Sequence, residues 1–192
     1  MKKIIITVSV LFATIYCQAQ ATAADPDAMM KAWKDNMTPG EQHKMLAASN
    51  GTWNEEISMW MAPGAAPEKS QAVIENTMIL NGLYQQSITK GNMMGQPFEG
   101  ISTVGYDKAK KMFVSTWIDN MGSGIMQMEG KWDDATKSIA FKGSFTDPVS
   151  GKMMNAREIF KIIDDKTQMM EMYAPGPDGK EFKTMEIKFT RK

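Results

Sequence analysis

The chain has 192 residues, 43% of them hydrophobic and 23% charged, the profile of one globular domain and not of a disordered or fibrous chain. Lys plus Arg and Asp plus Glu both number 22, so the net charge is zero and there is no basic excess of the kind nucleic-acid recognition needs. One Cys and one His exclude a zinc cluster, a disulfide framework and a Cys/His redox motif built from the chain's own residues.

Lys2 and Lys3 precede the apolar run Ile4–Tyr16, which ends in Cys17, Gln18 and Ala19, a small-x-small pattern suited to cleavage after Ala19. Residues 1–19 therefore read as a secretory signal peptide. The run is too short to cross a roughly 30 Å hydrocarbon core as a helix, and no other segment comes closer. Cys17 offers a lipid anchor, but Tyr16 stands where bacterial lipid attachment wants Gly, Ala or Ser. The expectation is a cysteine-free chain exported to the periplasm or beyond, with no transmembrane segment in its mature form.

Residues 20–50 read as a helical amino-terminal segment. Asp25 and Pro26 form an N-cap and first helical residue, followed by Met29, Met30, Trp33 and Met37 at helical spacing. Thr38, Pro39 and Glu41 repeat the pattern as a capping box, leading through His43 and Leu46 to a stop at Asn50 and Gly51.

From Trp53 onward the pattern changes to short runs rich in Val, Ile, Thr, Phe, Trp and Met, each closed by turn residues. Strands are expected at about 53–61, 70–80, 83–90, 98–106, 112–118, 124–132, 138–146, 153–163, 167–174 and 182–191. Asn81–Gly82 predicts a two-residue hairpin, 133–137 and 164–166 are polar reversals, and 175–179 is a longer Pro/Gly loop. Short links without crossovers predict an antiparallel up-and-down barrel of about eight to ten strands over 51–192, because closure removes the edges a meander would expose.

Alternation assigns the faces. Met185, Ile187, Phe189 and Arg191 share the inward side of the last strand, Trp53, Ile57, Met59 and Met61 that of the first, and Ile139, Phe141 and Phe145 that of the seventh. Gly51, Thr52 and Trp53 resemble the Gly-x-Trp signature of the calycin barrels, in which the Trp closes the floor and a late Arg, here Arg191, packs over it. A wider succession resembles a family of secreted bacterial proteins known only as a domain of unknown function. It includes Pro97 to Gly100, Gly105 to Asp107, Ser115 to Asp119, Glu129 to Asp133 and Thr190–Arg191. That resemblance implies a lipocalin-like or nitrobindin-like barrel and brings no catalytic residue with it.

Methionine is the compositional anomaly, at 20 residues, with same-face pairs at Met59/Met61, Met126/Met128 and Met170/Met172. Thioethers are soft Cu(I) ligands, and they are also adaptable linings for apolar cavities. His43 is a candidate haem ligand or general base, set against a capping role on its helix. Glu55, Asp119 and Glu171 are candidate inward carboxylates that could act with His43 in an enzyme. No nucleophile elbow or phosphate loop accompanies them. The sequence is read as an exported barrel binding a small apolar or amphipathic molecule through Ile57, Met59, Phe141, Met185 and Ile187, with Trp53 and Arg191 as the floor. No catalytic residue, metal ligand or cofactor is assigned, and a barrel with a packed core is the structural alternative.

Overall fold

The structure is a computed structural model and describes residues 25–192; the predicted signal peptide, with Cys17 and Ala19, lies outside the described residues. Two helices come first, α1 (Pro26–Asn36) and α2 (Glu41–Ala48). Asp25 caps α1, its carboxylate accepting from the Asp27 N–H at 3.1 Å. The Met29, Met30, Trp33 and Met37 stripe forms but meets no partner, and no residue of α1 is buried.

The expected capping box at Thr38 is a correction. The Thr38 hydroxyl donates back to the Lys34 carbonyl at 2.7 Å, which closes α1 and removes it as a cap for the next helix. Gly40 is the N-cap of α2 instead, and its N–H donates to Nδ1 of His43 at 2.9 Å. The imidazole thus fills the place a Glu or Gln holds in an ordinary capping box.

Ten strands follow: β1 (Gly51–Met59), β2 (Glu68–Ile79), β3 (Tyr84–Met93), β4 (Gln96–Asp107), β5 (Met112–Asp119), β6 (Met126–Asp133), β7 (Ser138–Thr146), β8 (Met153–Ile162), β9 (Thr167–Pro175) and β10 (Glu181–Arg191). Each pairs antiparallel with its sequence neighbours, and β1 pairs with both β2 and β10, so the meander closes as the sequence predicts. Gly51, at φ +106°, makes the turn from α2 into β1 that a side chain would strain.

Asn81–Gly82 is not a two-residue hairpin. Ile79 pairs with Tyr84, so the link is Leu80–Leu83, with Leu80, Asn81 and Gly82 all at positive φ. The two-residue turn is Met94–Gly95, between the paired Met93 and Gln96, with φ of 51° and 75°. An Asn-Gly pair supplies the backbone freedom a turn needs, but strand register decides how many residues the turn spans.

Alternating strand direction gives the barrel two ends. One carries α2, the start of β1 and the end of β10; the other carries the loops 60–67, 94–95, 120–125, 147–152 and 176–180. Two apolar clusters fill the interior towards the helix end. One joins Leu46, Phe113, Met128, Ile139, Phe141 and Ala156. The other joins Trp53, Ile57, Ala72, Ile74, Ile187 and Phe189. Among the described residues no helix is long and apolar enough to cross a membrane.

Candidate functional site

A helix ends with carbonyls that have no partner in the helix, and here side chains from the barrel supply the partners. Trp53, with no solvent exposure, donates from Nε1 to the Ser49 carbonyl at 2.9 Å. Asn76 donates to the same carbonyl at 3.0 Å, and Gln85 to that of Leu46 at 2.6 Å. Gln168 donates to the Ser49 hydroxyl at 2.8 Å. Arg191 lies over the Trp53 ring at 4.3 Å and spends its donors on the carbonyls of Ala48, Asn50 and Asp165. Lys, without the planar fork, could not stack and reach three carbonyls at once. This end is sealed.

His43 belongs to that seal. It is buried, accepts the Gly40 N–H on Nδ1 and meets Tyr106 edge-on at 6.3 Å. Burial, then the nearby Lys108 charge, pushes its pKa below the usual histidine value against the pull of the Gly40 bond. Its place is structural, at the end opposite the open loops.

The open half is lined differently. Register carries one inward row that starts at the rim and descends towards the packed clusters: Met59 pairs with Met185, Met185 with Met172, and Met172 with Glu158, whose other partner is the buried Phe141. All four are only half-buried, as are Met126, Phe145 and Met154 on the same inward parity. Across the lumen many inward positions of β2–β5 are small or hydroxylated, namely Ser70 and Ala72, Ser87, Thr89 and Gly91, Gly100 and Ser102, then Ser115, with Phe98 and Trp117 set among them. The lumen therefore has a methionine-rich wall and a hydroxyl wall. Trp117 lies across Gly100, where a Cβ would come within 2.3 Å of its ring. Phe98 stacks on Trp117 at 6.3 Å, and Asp119 fixes its indole through an Nε1 bond of 2.7 Å. The rim outside is apolar, with Met61, Met94, Ile125, Val149 and Met153 each at least 60% exposed. Met61 lies beyond the end of β1, so it shares the rim and not the strand face with Met59.

Below the rim, where Glu68 and Asp119 share the inward parity, two carboxyls face this interior. Glu55 is 3% exposed and its Oε2 has no hydrogen-bond partner. Burial pushes its pKa up to about 7, with only the Thr89 hydroxyl opposing. Glu158 is held at about 7 by burial alone, with no charge or hydrogen bond to offset it.

Glu171, a candidate inward acid, is a correction. Met170 and Met172 point inward, so Glu171 between them points out. There it accepts from Tyr173 at 3.0 Å and from Lys183 at 3.1 Å. Burial pulls its pKa up, but those two donors together hold it below the ordinary carboxylate value. Lys183 reaches that outer cluster because β10 shifts register between Lys183 and Met185. Arg157 completes the cluster, 3.9 Å over Tyr173 and paired to Glu181. Asp119 stays at the rim, bound to Trp117 and to the Met121 N–H.

The five lining residues proposed from sequence divide between the two ends. Ile57, Phe141 and Ile187 are buried in the sealed clusters, whereas Met59 and Met185 stand in the open half. Sequence reasoning missed Glu158 and the Phe98–Trp117 platform. Glu158 was findable, because Ala156 and Phe160 flank it at the inward spacing on β8. Two open hollows, of about 450 Å³ beside Lys137 and Lys161 and about 580 Å³ along β1–β2 by Glu56 and Lys69, lie on the outer surface. Among the described residues no three His, Cys, Asp or Glu side chains form a metal-binding group.

The family described as a protein of unknown function, DUF1579, matches residues 38–191, and the chain belongs to it. No curated protein matches the sequence. Among solved structures, the S-type phycobiliprotein lyase CPES from Guillardia theta is similar at TM-score 0.57 and 12% identity, over 83% of this chain and 96% of that one. A redesigned β-barrel is similar at TM-score 0.40 and 11% identity, over 77% and 94%. At such identities the first likeness is one of fold, and the second carries no argument.

Proposed function

We propose that this DUF1579 protein binds a small apolar or amphipathic molecule in the open half of its barrel, and that it does so after export. The observation that carries the reading is the contrast along the barrel axis: one end is closed by hydrogen-bonded polar groups, while towards the other the inward side chains are only partly buried. Methionine suits a guest site because its three rotatable bonds let it move aside and re-pack, which a β-branched lining would resist. The Phe98–Trp117 pair offers a rigid flat surface beside it, and the hydroxyl wall offers partners for a polar edge. The phycobiliprotein lyase of similar fold supports a barrel of this size as a scaffold, and its lyase activity is not carried over. The amino-terminal Lys2–Lys3 and Ile4–Tyr16 pattern supports export.

The test is to purify the protein gently from its native source, denature it, and analyse what is released by small-molecule mass spectrometry and elemental analysis. A stoichiometric lipid-like or aromatic compound is the expected result. Stoichiometric copper or iron without an organic guest would contradict it.

A further inference from the structure

The interior has a charge imbalance that the wall does not correct. Glu158 faces inward where the open half meets the packed cluster, between Met172 and the buried Phe141 on the neighbouring strands, with no hydrogen bond or cation to meet it. Deeper, Oε2 of the almost fully buried Glu55 is also unpartnered. Among the described residues no lysine faces the lumen to meet either. The strand lysines Lys69, Lys90, Lys131, Lys142, Lys161 and Lys188 are all exposed on the outer face. Lys183 would share the inward parity of Met185, but the register shift in β10 turns it out to Glu171 and Glu186. The one inward guanidinium, Arg191, is committed to Trp53 and three carbonyls at the sealed end. Burying a carboxyl without a partner costs free energy that Met or Leu at the same position would not. A guest that brings its own donor removes that cost.

Resting on the lumen-binding reading above, we propose that the guest is a cationic amphipath, an organic amine or ammonium group on an apolar chain, whose nitrogen meets the Glu158 carboxylate while the chain lies along Met59, Met172 and Met185. The geometry suits this class over a fatty acid, because an anionic head would enter a lumen that holds two acids and, among the described residues, no free cation. A charge-assisted N–H···O bond in such surroundings is among the stronger polar contacts a site can make.

The experiment titrates the full chain at about pH 8, where a primary alkyl amine is cationic, with dodecylammonium, dodecanol and dodecanoate in separate calorimetric runs. The expected order is dodecylammonium tightest, by about tenfold over dodecanol, a ratio matching one charge-assisted contact, with dodecanoate weakest. In Glu158→Gln the amine falls to the affinity of the alcohol, while dodecanol binding, which reports an intact lumen, does not change. Glu55→Gln, deeper in the barrel, leaves the order as it was. Equal binding of all three probes, or an amine preference that survives Glu158→Gln, overturns the cationic assignment and leaves lumen binding standing. Absence of binding by all three overturns the lumen-binding reading itself.

Discussion

The two ends of this barrel use inward side chains in opposite ways. At the α2 end, polar groups are buried and nearly all engaged: Trp53, Asn76, Gln85, Gln168 and Arg191 each donate to α2 or the residues just beyond it. At the loop end, apolar groups are left half-exposed, and the charged residues are sparse, with Asp147, Lys152, Asp178 and Lys180 the only ones in its loops. The difference shows where stability and function are invested. A helix plug leaves few unsatisfied polar groups once its carbonyls are answered, here the Asn76 Oδ1, whereas a mouth must keep apolar surface available, and that surface cannot also be core.

Truncation separates the two ends most strongly. Trp53→Ala removes a side chain with no exposure, the ring under Arg191 and one of the two donors to the Ser49 carbonyl, and a loss of about 3–5 kcal/mol is expected in denaturant unfolding. Met59→Ala, in the open half, is expected to cost about 1 kcal/mol because its side chain is only partly buried. Equal costs would mean that the open half is packed core and that the contrast fails.

The next effect is carried by pH. The Glu55 carboxyl has its pKa raised from 4.5 to about 7 in the folded chain, so the folded state holds more protons than the unfolded one between those values. Its contribution is therefore fully present below about pH 4.5 and is lost as pH rises to and through 7, an order-of-magnitude change of about 3 kcal/mol. Glu55→Gln removes that part of the slope. Thermal or urea unfolding at about pH 5 and 8 should show the variant losing less stability than the parent across the interval. Parallel losses would place Glu55 in contact with water or an unseen cation.

The smallest effect sharpens the seal. Arg191→Lys keeps the charge but loses the planar stack and the fork that reaches Ala48, Asn50 and Asp165, and about 1–2 kcal/mol of stability should go with them. A neutral result would show that α2 holds its place without the Arg191 fork, through Leu46, His43 and the Trp53, Asn76, Gln85 and Gln168 bonds.

Much of the sealed end is legible in the sequence, because its signals are local. Alternation puts Trp53, Ile57, Ile187 and Phe189 on one side, and a chain with two arginines among many lysines directs attention to Arg191. The rest depends on information that alternation does not carry. The Leu80–Leu83 link is set by the register of β2 against β3, and the turning-out of Lys183 by a shift in β10, neither of which has a composition of its own. Thr38 is a good capping residue whose hydroxyl was taken by the end of the previous helix. Glu171 could have been placed correctly, since Met170 and Met172 already claimed the inward side. Glu158 was hidden for the converse reason: a Glu between Arg157 and Ile159 looks like an outer-face residue until parity is carried through all of β8.

The most direct test of the account is methionine-methyl NMR of the full chain during titration with dodecanol. Met59, Met172 and Met185 should shift together and saturably, while Met45, Met78 and Met128 at the sealed end, Met29 and Met30 on α1 and Met37 at its C-cap stay still. Shifts confined to α1, or to the sealed end, would contradict a guest site in the open half of the barrel.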